Sequence, residues 1–416
     1  MIILLGVIFF NFLSTLVFPD KQVEASSKKT TNLNKKTITV PKQFSTNEVR
    51  QLLKNQKFLN SEKKTFTVML KNQTCTITTS LNIGLQKLLN KKLDRLKKLD
   101  RGKPERIAMV AMDPVSGKVL ALTGFDLIKP DRNPCFASDF PAASIFKIIT
   151  ASAAVEELGF TPDTKLYFNG SKYTLYKSQL KETKTKYTTT ISFENAFAES
   201  VNPVFGKIGR NRLKNKILEK YANKFEFNKQ IDSELAFGSS NIEVTENPYA
   251  WAEIGCGFNH STTISPLFGA MISSTIANAG KLVIPSIVEK IVDSQNKIIY
   301  DSKDEIYSWV VSEKTAAIVQ TLMEKTIESG TARKNFRGYK QDKILSKLVI
   351  GGKTGSIYNR EHTIKYDWFT GFVKQKDVTV ENNEVVVSIV VGHGDYIGTR
   401  AGEYGKMIIK EYYKNI

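Results

Sequence analysis

Residues 140–151 read Phe140-Pro-Ala-Ala-Ser144-Ile-Phe-Lys147-Ile-Ile-Thr-Ala, and the interpretation of the whole chain starts from this stretch. It opens a run of mostly small and apolar residues, 142–158, of the kind found in a helix that is covered on every side. Pro141 suits the first turn of a helix, because a proline there gives up no hydrogen bond. The pattern therefore predicts a buried helix that starts near Pro141 and ends at about Glu157.

Ser144 and Lys147 place a hydroxyl and an amine inside this apolar run. Residues at positions i and i+3 share one face of a helix, about 5–6 Å apart. Burial lowers the pKa of a lysine, and a neutral amine beside a serine is a base beside a nucleophile. Other Ser-x-x-Lys pairs of the chain lie in polar, lysine-rich surroundings, where a solvated surface pair is expected. Ser144 is therefore the predicted nucleophile and Lys147 its base.

Composition limits the classes of protein that fit this chain. Its 416 residues suffice for one large domain and a smaller one, and 41% hydrophobic with 24% charged residues is typical of a globular protein. The net charge of +19 indicates attraction to polyanions such as an anionic membrane face or acidic wall polymers. Its lysines are scattered and no nucleic-acid-binding signature accompanies them, so nucleic acid is discounted as a partner.

Residues 2–18 form an uncharged, mostly apolar run that Pro19 and Asp20 close. This length is near the lower limit for a membrane-spanning helix and also fits the apolar region of an export signal. Basic residues follow the run rather than precede it, which opposes an anchor whose C-terminal side is outside. Residues 1–25 are thus expected to be a signal peptide or a membrane anchor. The protein is expected to be exported to the cell envelope, at the outer side of the cytoplasmic membrane, anchored or secreted to the periplasm.

Cysteines and histidines indicate neither a metal site nor a redox site. The cysteines form no Cys-x-x-Cys pair and are expected to be buried and free: Cys75, Cys135 and Cys256. The histidines are far apart and form no metal-ligand pattern: His260, His362 and His393. No cofactor and no metal is expected.

Residues 26–104 are predicted to form a linker, polar and basic up to Pro41, followed by a small N-terminal region. A short helix after Ser45 and two short strands before residue 80 are expected there. Leucines then recur at helical spacing over 85–99, with lysines and arginines on the other faces. This amphipathic helix is expected to pack against the main domain rather than on a membrane surface.

The main domain is predicted to be residues 105–416, with strands at both of its ends and helices between them. The strands are expected near 106–112, 118–125, 347–356, 366–373 and 385–391, and a last helix from about Gly402. Pro203 disfavours helical angles at Asn202, so Ser200 and Asn202 are expected at a helix-to-loop break. The predicted fold class is α/β (α+β), with one antiparallel sheet of about five strands sandwiched by helices.

Three short motifs then follow one another in a known order: Ser144-x-x-Lys147, Ser200-x-Asn202 and Lys353-Thr354-Gly355. This ordered set resembles the signature of the serine penicillin-recognising enzymes, and the chain looks like a class B-like penicillin-binding protein with a smaller N-terminal region than is usual for that class. Ser-x-Asn recurs in the chain and alone says little, whereas Lys-Thr-Gly occurs once, at a predicted strand edge. The resemblance covers about Thr76 to the C-terminus and implies a penicillin-binding/β-lactamase-like fold.

The resemblance also implies catalytic roles. Ser144 would attack the carbonyl of a terminal D-Ala-D-Ala bond, and Lys147 would take the serine proton. Ser200, with Lys353 nearby, would relay a proton to the departing D-alanine. Asn202 would hold the substrate backbone or orient Lys147.

A second group of residues is implied to bind the substrate: Thr354, Gly355 and Ser356. The hydroxyls of Thr354 and Ser356, beside the charge of Lys353, would bind the terminal carboxylate. The backbone N–H groups of Ser144 and Ser356 would form an oxyanion hole.

The activity that the resemblance implies is that of a serine D,D-transpeptidase acting on peptidoglycan stem peptides, with β-lactam antibiotics as covalent inhibitors. A D,D-carboxypeptidase, a serine β-lactamase and a non-enzymatic β-lactam or peptidoglycan sensor remain alternatives. Between Asn202 and Lys353 no Glu-x-x-Leu-Asn pattern is present to position a hydrolytic water, which speaks against a β-lactamase. No signalling domain is visible for a sensor, and no protein partner is predicted.

Overall fold

The computed structural model describes residues 44–70, 72–302, 306–377 and 383–414. The predicted signal peptide or anchor (residues 1–25) and the linker up to Pro41 lie outside these ranges. None of the helices within them is both long enough and apolar enough to cross a membrane.

Helices make up most of the regular structure in the described ranges. Their bounds are α1 (Thr46–Leu53), α2 (Ile83–Lys97), α3 (Lys147–Leu158), α4 (Phe193–Ala198), α5 (Asn202–Lys207), α6 (Lys214–Lys224), α7 (Pro248–Cys256), α8 (Pro266–Ala277), α9 (Glu313–Glu328) and α10 (Ala401–Lys414). The hydroxyls of Ser265 and Ser312 accept the backbone N–H groups of Phe268 and Thr315, the third residues of α8 and α9. Because these serines satisfy donors that a helix start leaves unpaired, they fix where both helices begin.

The strands form one central sheet and several smaller ones. Their bounds are β1 (Thr65–Leu70), β2 (Gln73–Thr79), β3 (Pro104–Met112), β4 (Val119–Asp126), β5 (Phe140–Pro141), β6 (Lys165–Phe168), β7 (Thr189–Ser192), β8 (Thr263–Ile264), β9 (Lys281–Val283), β10 (Val288–Val292), β11 (Ile298–Asp301), β12 (Ile306–Trp309), β13 (Leu348–Tyr358), β14 (Lys365–Gln375) and β15 (Val385–His393). The central sheet has five strands in the order β13-β14-β15-β3-β4, and every neighbouring pair is antiparallel. The predicted antiparallel sheet of about five strands is confirmed.

Both faces of the central sheet are covered by helices. Along β3, Ile107 and Met109 belong to one buried cluster, while Ala108 and Val110 belong to the other, as expected when side chains alternate across a strand. The first cluster includes the side chains that α2 and α10 contribute: Leu85, Leu89, Leu93, Leu96, Tyr404, Ile408 and Ile409. The second contains much of α3 and α8. The sandwich of helices around the sheet is confirmed, and so is the packing of the leucine-rich helix on the main domain.

The N-terminal strands do not form a separate sheet. β1 and β2 pair with each other and continue through β10 to β11, in a four-stranded sheet of order β1-β2-β10-β11. The division of the chain near residue 104 stays a prediction.

All three cysteines are buried and free, as predicted. Burial raises the pKa of the Cys135 thiol to about 12 and that of Cys256 to about 11. A thiol needs its thiolate form to react, so both cysteines act as small apolar core residues at neutral pH.

The predicted start of the buried helix at Pro141 is wrong. Phe140 and Pro141 form the short strand β5, paired with β8, and the carbonyl of Pro141 accepts a hydrogen bond from the indole N–H of Trp368 at 2.9 Å. A 3₁₀-helical turn follows at Ala143–Phe146, and α3 begins only at Lys147. A tertiary contact from β14 therefore takes the carbonyl that the first helical turn would have used. The C-terminal end is close to the prediction, because α3 stops before Gly159 in the left-handed conformation.

Candidate active site

A buried amine lies at the centre of the candidate site. Ser144 is in the 3₁₀-helical turn, Lys147 is the first residue of α3, and the Lys147 side chain is fully buried. Its Nζ lies 2.8 Å from Ser144 Oγ, 2.8 Å from Asn202 Oδ1 and 2.6 Å from the carbonyl oxygen of Cys256. Three oxygens thus surround one amine.

These three oxygens differ in what they can do. The amide oxygen of Asn202 and the carbonyl oxygen of Cys256 only accept hydrogen bonds, whereas the Ser144 hydroxyl can also donate one. A neutral amine has two N–H groups and one lone pair, so its N–H groups are used by the two acceptors. The lone pair is then left for the Ser144 proton. Burial favours this neutral form, since it strips water from the ammonium, and lowers the pKa of Lys147 to about 8.

A second buried amine lies on the strand edge. Lys353, on β13, is fully buried, and its Nζ lies 3.0 Å from Ser200 Oγ and 3.0 Å from the carbonyl oxygen of Thr354. Burial, and secondarily the positive charge of Lys147, lower the pKa of Lys353 well below its ordinary value. This pKa shift disfavours the charge that the sequence analysis assigned to Lys353. Other cationic side chains line the cleft itself: Lys334, Lys365 and Arg400.

The second motif lies where two helices meet. Ser200 has a φ of 58° and lies between α4 and α5, as predicted for a helix-to-loop break. Asn202, in contrast, is the first residue of α5, so its predicted place outside a helix is wrong. Pro203 next to it is compatible with the first turn, where its missing N–H leaves no acceptor unpaired. The Asn202 Nδ2 donates to the carbonyl of Tyr173 at 3.0 Å, which turns its Oδ1 towards Lys147.

β13 passes directly against the turn that carries Ser144. A Cβ built on Gly355 would lie 3.3 Å from the backbone nitrogen of Ser144, so a larger residue would push the two segments apart. The neighbouring Thr354 hydroxyl contacts the Thr331 hydroxyl at 2.5 Å, and the Ser356 side chain is exposed. Glycine at this position therefore brings the strand edge and the Ser144 turn together.

All eight residues predicted for the site are thereby brought together. One cleft, with a cavity of about 680 Å³, is lined by six of them: Ser144, Ser200, Asn202, Thr354, Gly355 and Ser356. The two lysines lie buried beside it and contact Ser144 and Ser200.

Sequence reasoning missed other residues of the same cleft. Tyr173 and Phe258 are exposed aromatic residues at its wall, and cationic residues line it as well: Lys334, Lys365 and Arg400. They come from separate loops and strands, and no local motif marks them. Cys256 was also missed, because it contributes its backbone carbonyl, which any residue could supply.

The approach of α7 to the Ser144 turn places that carbonyl. Gly257 follows α7 with a φ of 68°, and a Cβ built on it would lie 1.9 Å from the carbonyl oxygen of Ala143. Only glycine fits both the left-handed backbone and this contact. Gly257 thereby lets the Cys256 carbonyl reach Lys147.

An antiparallel sheet between helices, with Ser-x-x-Lys, Ser-x-Asn and Lys-Thr-Gly converging on one cleft, defines a penicillin-recognising protein. Residues 107–414 match the family described as penicillin binding protein transpeptidase domain. The chain belongs to this family.

Similar proteins include relatives from two organisms. Stage V sporulation protein D of Bacillus subtilis is 24% identical over 267 residues, covering 61% of this chain and 40% of the relative. Peptidoglycan D,D-transpeptidase PbpA of Mycolicibacterium smegmatis is 23% identical over 340 residues, covering 72% of this chain and 64% of the relative. Each match thus spans less than two thirds of the relative's length.

Solved structures share the fold. The D,D-transpeptidase domain of a peptidoglycan glycosyltransferase from Eggerthella lenta superposes with a TM-score of 0.63 at 21% identity, covering 82% of this chain and 83% of that chain. Penicillin-binding protein A from M. tuberculosis, in a ceftriaxone acyl-enzyme complex, superposes with a TM-score of 0.64 at 21% identity. The match covers 80% of this chain and 79% of that chain.

Replacing Gly257 by alanine tests the close approach of α7. Gly159→Ala is a matched control, because Gly159 also follows a helix with a φ of 67° but has nothing within 4 Å of a built Cβ. In each variant the free energy of unfolding should fall by about 1 kcal/mol, because alanine is strained in a left-handed backbone. In Gly257→Ala the free energy of unfolding should fall by roughly 1–3 kcal/mol more, because the added methyl group overpacks against Ala143. Urea unfolding of both variants measures the difference, and equal losses would contradict the assigned contact.

Proposed function

We propose that this chain is a serine D,D-transpeptidase that acts on the D-Ala-D-Ala terminus of peptidoglycan stem peptides through an acyl-enzyme at Ser144. We further propose that penicillin and other β-lactams acylate the same serine. The observation that carries the proposal is the Lys147 amine, buried and held so that its lone pair faces the Ser144 hydroxyl. A relative named as a peptidoglycan D,D-transpeptidase supports it.

In the acylation step, Lys147 accepts the proton of Ser144 as the Oγ–carbon bond forms at the penultimate D-alanine. The backbone N–H groups of Ser144 and Ser356 stabilise the oxyanion, a contribution worth roughly 3–4 kcal/mol per donor in other enzymes. The C–N bond then breaks, and the departing amine of D-alanine takes a proton through Ser200, which Lys353 contacts. Asn202 keeps the Lys147 amine in place.

In the second step, the amine of another stem peptide attacks the acyl carbon, so that a new C–N bond forms and the bond to Ser144 Oγ breaks. The proton that the attacking amine loses restores the Ser144 hydroxyl, with Lys147 as the base between them. This produces a cross-link, whereas attack by water would give carboxypeptidation. The substrate implies an envelope location, with residues 1–25 as signal peptide or anchor, 26–104 as linker and N-terminal region, and 105–416 as transpeptidase domain. The net charge of +19 favours anionic membrane or wall polymers as neighbours.

The terminal carboxylate of the donor peptide is assigned to the hydroxyls of Thr354 and Ser356, with positive charge from the cleft wall. Lys365 and Asp367 pair with Tyr358 and Ser356 across the β13–β14 ladder, so all four side chains share one sheet face with Thr354. Asp367, the one carboxylate among the described lining residues, accepts the N–H of Ala401 at 2.8 Å and lies 3.6 Å from Arg400.

Two further cations in the cleft remain available for an anion. Within the ranges the structure describes, neither Lys334 nor Lys365 is paired with a carboxylate, and Lys365 Nζ lies 5.1 Å from the ring centroid of Tyr358. Together with Arg400, they outnumber the single carboxylate of Asp367 at the cleft wall. These cations therefore give the cleft wall a positive potential towards the donor carboxylate.

Intact-mass analysis after incubation with benzylpenicillin tests the acyl-enzyme. The wild type should gain one penicilloyl adduct, and Ser144→Ala should gain none. The adduct should persist for minutes or longer, because no glutamate that could position a hydrolytic water is among the described residues that line the cleft. A D-Ala-D-Ala peptide should release D-alanine. An adduct lost within seconds would indicate a β-lactamase, and a stable adduct without release of D-alanine would indicate a sensor.

Substitution of the cleft cations tests the carboxylate assignment. The double variant Lys334→Gln/Lys365→Gln should slow D-alanine release from a D-Ala-D-Ala peptide about fivefold, because partly exposed charges each contribute up to about 1 kcal/mol. The double variant should slow release from the same peptide with a C-terminal carboxamide less, because that peptide carries no terminal negative charge. Lys343→Gln/Lys347→Gln, which removes two exposed charges outside the cleft, is the control. An equal loss on both peptides would contradict the assignment.

A further inference from the structure

An irregular segment, Asn169–Tyr176, holds Asn202 from outside the three motifs. It lies between β6 and the 3₁₀ helix Lys177–Leu180. The carbonyl of Lys172 accepts the backbone N–H of Asn202 at 2.7 Å, and the carbonyl of Tyr173 accepts its Nδ2 at 3.0 Å. The segment thus fixes both the backbone and the amide orientation of Asn202.

Orientation matters because the two ends of an amide differ. With the observed orientation, Asn202 Oδ1 accepts from Lys147 Nζ at 2.8 Å. A flipped amide would place two donors, Nδ2 and Nζ, against each other and two acceptors, Oδ1 and the Tyr173 carbonyl, against each other. The position of the Tyr173 carbonyl therefore decides which atom of Asn202 faces the amine.

One buried side chain holds this segment in shape. Gln179 is only 5% exposed. Its Nε2 donates to the carbonyls of Asn169 at 2.9 Å and Ser171 at 3.1 Å, and its Oε1 accepts from Tyr176 N at 2.9 Å and Thr174 Oγ1 at 3.1 Å. A primary amide has two N–H groups and two lone pairs, so its hydrogen-bonding capacity is fully used by the segment.

The space around this amide is also restricted. Gly170 has a φ of 76°, and a Cβ built on it would lie 3.0 Å from Gln179 Nε2. The segment is therefore closely fitted around Gln179, and a change at either residue should move it.

We propose that Gln179 is a positioning residue for the acylation step: it shapes the segment whose Tyr173 carbonyl turns the Asn202 oxygen onto Lys147. This inference rests on the proposed function. Gln179 acts through Asn202 and touches neither the nucleophile nor its base.

The electrostatic surroundings of Lys147 define what the test should show. The groups that face its amine are the Ser144 hydroxyl, the amine of Lys353 from β13 and the thiol of Cys256 from α7. An acceptor such as Asn202 Oδ1 stabilises the ammonium more than the amine. If Asn202 Oδ1 moves away, the pKa of the interacting Lys147 and Lys353 amines should fall. The acid limb of the plot of acylation rate against pH should then move to lower pH.

The test compares Gln179→Met with Gln86→Met. Gln86 is a matched control, because it is also buried and uses both ends of its amide on the backbone of one residue, Leu122. Gln179→Met should slow acylation by benzylpenicillin roughly tenfold, as expected for a small misplacement of the base. Its acid limb should also shift to lower pH, whereas Gln86→Met should change neither the rate constant nor the acid limb.

A double-mutant cycle with Asn202→Ala separates positioning from general destabilisation. Gln179→Met should have no further effect on acylation in the Asn202→Ala background, because Gln179 acts through that residue. Multiplicative effects would overturn the inference. If Gln179→Met does not fold, Gly170→Ala moves the same segment and should give the same coupling.

The possible failures are distinguishable. A wild type that takes up no penicillin refutes the proposed function. A wild type that is acylated normally, with Gln179→Met no slower than Gln86→Met, refutes only the role of Gln179.

Discussion

The candidate active site depends on the burial of one amine, that of Lys147. Lys147 has no access to water, so each of its hydrogen-bonding positions must be matched by a protein atom. Two of those atoms, Asn202 Oδ1 and the Cys256 carbonyl oxygen, can only accept, and the third belongs to Ser144. The same contacts that make burial tolerable therefore aim the lone pair at the serine.

Close backbone contacts bring these atoms to the amine. Gly257 lets α7 approach the turn that carries Ser144, and Gly355 lets β13 pass close to the same turn. The indole of Trp368 holds the carbonyl of Pro141 just before it. The turn is thus fixed from a helix and from two strands of the central sheet, which gives the serine a rigid setting.

The sequence predicted the fold class, the main strands and all eight residues that meet at the cleft. These features depend on local pattern: periodic burial, capping serines and ordered motifs. The error at Pro141 came from a contact that arises only after folding, the hydrogen bond from the Trp368 indole. The error at Asn202 arose because Pro203 lies in the first turn of α5 instead of ending a helix. Backbone carbonyls such as that of Cys256, and cations brought from distant loops such as Arg400, leave no local signal in a sequence.

The central claim is that burial lowers the pKa of Lys147 far enough for an appreciable fraction of the amine to be a neutral base near physiological pH, and its own titration is the most direct test. NMR of lysine-labelled protein, with the Lys147 signal assigned by its loss in Lys147→Met, reports the pKa of this amine. The account predicts a value near 8, well below the roughly 10.4 of an ordinary lysine. A Lys147 amine that titrates near 10.4, as exposed lysines do, would contradict it.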